Sequence, residues 1–223
     1  MANQNRRPAQ DRWLRFFNRV VYASLPGAYN ALDVLTLGVW WRLVRRALDA
    51  VPPGGHVLEV GFGPGRLHVA LAERAQVCVG IDLAPGMCRF TQRRLVRRGL
   101  PARIARGSAL AQPFAPASFD TVVSTFALSG MPHGGTVLRE MARVTTPGGR
   151  VVLVDIGLPP DGNRAGTFWA RLWERMGDAL YDQPALMEAA GLRVTTFEPF
   201  GPGQHIRLVV GEKAEAGQGG GLL

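Results

Sequence analysis

The sequence predicts an α/β fold with a doubly wound, mostly parallel sheet, and three observations predict it. From residue 56 onward, short apolar runs alternate with segments of helical period. The first run, Val57 to Val60, breaks into Gly61-Phe62-Gly63-Pro64-Gly65 and continues as a helical stretch ending near Ala75. The second run, Val77 to Ile81, stops on Asp82. Strand, glycine turn, helix, strand, acid is the order of a nucleotide-binding βαβ half-unit.

The glycine turn narrows the ligand. Glycines at 61, 63 and 65 let the backbone bend sharply and approach a ligand without Cβ obstruction. The spacing is Gly-x-Gly-x-Gly rather than the Gly-x-Gly-x-x-Gly of dinucleotide sites, and Glu59 stands two residues before the first glycine. An acid there repels a pyrophosphate but can hold an ammonium group, while Asp82 can accept from a ribose diol. Glu59-Val-Gly-Phe-Gly-Pro-Gly resembles the first motif of class I S-adenosylmethionine (SAM) methyltransferases, and Gly80-Ile-Asp-Leu-Ala-Pro-Gly-Met87 resembles their second. The resemblance implies a Rossmann-like, seven-stranded sheet closed by a C-terminal antiparallel hairpin, with SAM as methyl donor and S-adenosylhomocysteine as product. Implied around the cofactor are Tyr29, Glu59, Gly61, Gly63, Gly65, Asp82, Leu83, Met87, Ser108, Ala109 and Ser124.

Residues 1–50 form an expected helical lid. Within it, residues 11–22 place Trp13, Leu14, Phe16, Phe17, Val20 and Val21 on one side and three arginines with Asp11 and Asn18 on the other. That pattern suits an interfacial helix on an anionic bilayer, and equally a lid packed over the site. The stretch Tyr29 to Val51 then reads as two helical pieces broken near Gly38, with Pro52-Pro53 stopping the second. Its part from Tyr29 to Arg42 resembles the segment before the first motif in ubiquinone and menaquinone biosynthesis C-methyltransferases and in bacterial phospholipid N-methyltransferases. Those families carry Tyr-Asp where this chain has Tyr29-Asn30. Tyr29 either closes over the methionine end of SAM or simply packs.

The SAM-binding domain is expected over 51–213. After Asp82, a helix runs from Pro85 to Arg98 with arginines at its end, where cations complement the helix dipole. Ala102 to Arg106 is a short third strand leading to Gly107-Ser108-Ala109; the family has an acid where Ser108 stands, accepting from the adenine amino group. Phe119 to Ser124 is the fourth strand, Thr136 to Val144 a helix that Pro147-Gly148-Gly149 ends, and Arg150 to Ile156 the fifth strand. The loop after the fourth strand lacks the Asn-Pro-Pro-Tyr clamp of adenine methyltransferases, so nucleic acid is not the expected acceptor.

Residues 157–181 are an insertion in the position where the family builds its acceptor pocket. Phe168, Trp169, Leu172, Trp173 and Met176 recur there at helical spacing, as a core or pocket wall. A helix over Asp182 to Ala190 and a strand pair, Leu192 to Glu198 with His205 to Gly211, close the domain. The tail 214–223 is low in complexity and expected to be disordered.

Composition agrees with one globular domain: 223 residues, 47% hydrophobic and 19% charged. The net charge is +9 and Lys213 is the sole lysine, so arginine carries the excess and favours anionic partners. Cys78 and Cys88 are the only cysteines, without metal-type spacing, and no apolar run is long enough to span a bilayer. A cytoplasmic enzyme is expected, peripheral at the inner membrane face if residues 11–22 bind lipid, with no metal.

Methyl transfer needs an acceptor held in line with the S–CH₃ bond and a group to take up a proton. Candidates at the C-terminal ends of the strands are His133, Asp155 and Tyr181. The acceptor is a small molecule or a lipid-like one: a quinone precursor, phosphatidylethanolamine, or a soluble compound. Readings from another class are an NAD(P)-dependent oxidoreductase, opposed by the glycine spacing, and a non-catalytic SAM-binding protein, which the departures at Asn30 and Ser108 leave open.

Overall fold

The computed structural model describes residues 38–215. Tyr29, the helix expected over residues 11–22 and most of the expected disordered tail therefore lie outside the described residues. Seven strands form one sheet: β1 (His56–Val60), β2 (Val77–Asp82), β3 (Ile104–Arg106), β4 (Phe119–Thr125), β5 (Thr145–Ile156), β6 (Leu192–Phe200) and β7 (Ile206–Lys213). They lie in the order β3-β2-β1-β4-β5-β7-β6. The first five run parallel, and β7 is antiparallel to both β5 and β6. The order reverses between β1 and β4, so their C-terminal ends open a crevice, the usual ligand position in such sheets.

Helices cover both faces, which is why the parallel strands are apolar on both sides. These are α1 (Val39–Asp49), α2 (Arg66–Ala72), α3 (Pro85–Arg97), α4 (Gly134–Val144), α5 (Arg164–Met176) and α6 (Gln183–Ala189). Strand alternation sends Leu58, Val60, Val122 and Leu153 into one core with Leu138, Met141 and Met187. Val57, Val123, Val152 and Val154 enter the other, with Leu67 and Leu71 of α2.

Three boundaries differ from the sequence expectation. Val44, Ala47 and Leu48 of α1 sit in the second core, so the piece after Gly38 is a layer of the domain rather than part of a lid. Gly38, at φ 76, starts α1 where the break was expected. The helix before β5 ends at Val144 as expected, but the strand begins at Thr145 rather than at Arg150: Thr145 donates from Oγ1 to Met141 O at 2.7 Å, and the strand then bulges through Pro147-Gly148-Gly149. The 157–181 insertion holds α5, whose stripe is not a core wall, since Phe168, Trp169 and Met176 are 60%, 42% and 45% exposed.

Two glycines fix α5 in place. Gly166 and Gly203 face each other so closely that a Cβ on either would strike the other's backbone. Asn163 completes the joint, accepting from Gly166 N at 2.7 Å and donating to Gly203 O at 3.0 Å. The helix is thereby pinned to the turn (Pro202–Gln204) between β6 and β7.

Candidate functional site

The glycine loop is built as its spacing demands. Gly61, Gly63 and Gly65 have φ of 74°, 51° and 70°, in the left-handed region that side chains disfavour. A Cβ on Gly61 would lie 2.7 Å from Ala127 Cβ, because the chain after β4 closes against the loop. A Cβ on Gly63 would meet nothing within 4 Å and would stand in the open space a ligand needs. The loop is tied from behind: Thr91 Oγ1 donates to Gly63 O at 2.9 Å and Arg94 Nη1 to Pro64 O at 2.8 Å.

Asp82 braces the same loop. Its Oδ2 accepts from Gly63 N at 2.9 Å and its Oδ1 from Ala84 N at 2.8 Å. Burial pushes its carboxyl above the ordinary range, and those backbone donors pull it back. Each oxygen keeps a second lone pair for a hydroxyl. The adjacent Leu83 is 67% exposed, an apolar surface beside a polar anchor.

Glu59 is placed differently from the expectation. Its side chain and that of His68 are 1% and 0% exposed, and Glu59 Oε2 lies 3.0 Å from His68 Nδ1. The expected open receiver for an ammonium group is thus a strut under the loop. Phe62 folds back over the pair, its ring 5.5 Å from that of His68, and both occupy the space that a Cβ on Gly80 would need. Burial raises the Glu59 carboxyl, and His68 opposes the rise. A strand acid two residues before a glycine turn, facing a histidine on the returning helix, was the available signal in the sequence.

The remaining cofactor candidates divide. Ser124, one residue before the end of β4, is 1% exposed with its Oγ buried and unpartnered, a polar atom aimed at no protein group. Ser108 Oγ accepts from Leu110 N at 3.2 Å, and Ala109 is half-buried against the first core. Met87 is wholly buried in α3 and is a core residue, which corrects its expected place at the cofactor.

Of the three catalytic candidates, two are held by backbone. Asp155 is buried, accepting from Ser129 N at 3.0 Å and from Ile156 N at 2.8 Å. Burial lifts its carboxyl to about 6, with Asp178 adding to the rise. Ser129 Oγ donates to Asp178 Oδ1 at 2.8 Å, so a hydroxyl bridges the two acids. Tyr181 OH donates to Met131 O at 2.9 Å and accepts from Gly134 N at 3.3 Å, which fastens the loop after β4. Neither is a free proton carrier. His133 alone keeps an exposed side chain: it precedes α4 at φ 56 and makes no capping bond.

An open cradle over Gly63, a braced Asp82, an exposed Leu83 and an orphaned Ser124 hydroxyl fit a nucleoside with a polar tail. Comparison with known proteins identifies it. Residues 58–153 match the family described as methyltransferase domain. The chain is 33% identical over 147 residues to the demethylmenaquinone methyltransferase of Thermus thermophilus, covering 64% of this chain and 67% of that one. It is 35% identical over 168 residues to the enzyme of that name from Deinococcus radiodurans, covering 73% and 70%. A SAM-dependent methyltransferase structure from Thermotoga maritima shares the fold at a TM-score of 0.59 and 18% identity, covering 81% of this chain and 96% of that one. With this sheet, this loop and these relatives together, the chain belongs to the class I SAM-dependent methyltransferases, and it is an enzyme that takes its methyl group from SAM.

Proposed function

We propose that the enzyme methylates a ring carbon of a quinol-type, lipid-derived acceptor, the chemistry carried in the names of its Thermus and Deinococcus relatives. Those names are the observation that carries the proposal; the Thermotoga structure, named as a possible histamine N-methyltransferase, shares only the fold at 18% identity. When bound, SAM supplies an electrophilic methyl group. The chain's own contribution is to hold the partners in line and to handle one proton. Asp82, Leu83, Ser124 and the glycine loop hold the donor side. On the acceptor side, a ring hydroxyl must give up its proton for the ring carbon to become nucleophilic. His133, on the loop between β4 and α4, is the group proposed to receive it, because Asp155 and Tyr181 are committed to backbone partners.

The test is mass spectrometry after incubation with methyl-labelled SAM and demethylmenaquinol in mixed micelles, beside phosphatidylethanolamine in the same micelles. Label on the quinone ring supports the proposal. Label on phosphatidylethanolamine alone, or on neither with SAM binding intact, overturns it. His133→Gln is expected to lower kcat at least tenfold, with SAM affinity unchanged.

A further inference from the structure

The structure assigns to α5 a second role, as the face by which the enzyme sits on an anionic phospholipid bilayer. The helix is anchored on one side only. Gly166 and Ala170 are buried, and Gly166 meets the β6–β7 turn. Projected at about 100° per residue, the side away from these is an apolar arc of Phe168, Leu172 and Met176, with Trp169 at one edge, its ring stacked 6.3 Å from that of His205, and Arg164, Arg171 and Arg175 along the other border. Three of those four apolar side chains are among the exposed large hydrophobics of the described residues.

A solvated helix face has no reason to present phenylalanine, tryptophan and methionine together. Aromatic residues beside arginines suit the headgroup boundary, where rings enter the acyl edge and guanidinium groups meet phosphates. Acids do not cancel this. Glu174 is the only acid on α5 and is paired with Arg171 at 2.7 Å, on the side of the arginines away from the apolar arc. Asp178 is bonded to Ser129 rather than presented outward. The net charge of +9 draws the whole chain toward an anionic surface.

The placement has a functional sense. The chain leaves the sheet at Ile156, and α5 packs through Gly166 on the turn before Ile206, the partner of Ile156, so the helix stands at the C-terminal rim of β5, the end at which the cofactor loops lie. A bilayer against this helix would present lipid-soluble acceptors to that rim. The inference does not rest on the acceptor proposed above, since vesicle binding needs neither quinol nor SAM.

The experiment is flotation of the full chain with vesicles of phosphatidylcholine plus phosphatidylglycerol, and with phosphatidylcholine alone, across a salt series. The wild type is expected to float with the anionic vesicles, and less so as salt rises. The triple variant F168S/W169S/M176S should lose at least tenfold in bound fraction while keeping SAM affinity, which serves as the check on folding. The exposed set R164Q/R171Q/R175Q should lose binding to anionic vesicles and flatten the salt dependence. Two results would overturn the assignment: no flotation of the wild type, or wild-type flotation of both variants, the second pointing to residues 11–22 instead.

Discussion

Glu59 on β1 and His68 on α2 meet at 3.0 Å with neither side chain reaching solvent, so the glycine loop stands on a buried acid–histidine pair. Cys78 Sγ lies 3.8 Å from the same ring nitrogen, and Phe62 covers the ring. The acid that the motif supplies is therefore part of the floor of the site.

Removing one partner leaves the other buried in an apolar shell. His68→Leu should destabilise the fold by about 3 kcal/mol, and Glu59→Gln by a comparable amount. The double variant should cost less than the sum, because neither polar group is then stranded. Urea denaturation of the four proteins gives the coupling, and strict additivity would show that the pair is not interacting.

Asp82 joins loop to strand and is the proposed ribose anchor. Asp82→Ala should weaken SAM binding about 10–100-fold, the loss of one or two hydrogen bonds to a charged acceptor. Asp82→Asn should fall between, since the amide can accept from Gly63 N but offers one acceptor fewer. Titration calorimetry reads both, with NADH as a control that should not bind to any of the three proteins.

Asp155 gives the stability a pH signature. Its carboxyl moves to about 6 from an ordinary 3.8, so the folded chain binds this proton more tightly than the unfolded chain does. The resulting stabilisation is complete below the unfolded value and is lost as pH rises through about 6, up to about 3 kcal/mol in all. Glu59 and Asp82, also raised by burial, slope the same way. The measurement is the stability of wild type minus that of Asp155→Asn, read from urea midpoints from pH 4 to 7, which should fall as pH rises because the amide stays neutral throughout. A constant difference would place the Asp155 carboxyl in the ordinary range.

Tyr181 closes the loop after β4 with its single hydroxyl. Tyr181→Phe should cost about 1–2 kcal/mol through the unsatisfied Met131 O and Gly134 N, and raise the acceptor KM as the loop loosens. The pH–rate profile should keep its shape. A lost limb in that profile would return the tyrosine to the catalytic group.

The sheet was legible because its strands are apolar runs bounded by glycine, proline or acid, and because the Gly61 to Gly65 spacing admits few backbone paths. Strand β5 showed only from Arg150 in the sequence, since Pro147-Gly148-Gly149 looks like a helix terminator and is in fact a bulge inside the strand. What side chains touch across the fold was not legible. Met87 sits in the motif that carries Asp82, yet the turn of α3 directs it into the core. Asp155 and Tyr181 stand at the rim as expected, but the Ser129, Met131 and Gly134 partners that commit them come from a loop with no periodicity. Ser129 and Asp178 carried no local signal of their roles.

The Gly166–Gly203 contact makes α5 and the closing hairpin a single rigid lever. With no room for even one carbon between them, the helix cannot slide or roll without carrying the end of the sheet along. The chain ahead of the joint is held as well, Gly157 N donating to His205 O at 2.8 Å and Arg207 to Leu158 O, so an alanine at Gly166 or Gly203 would displace helix and hairpin together.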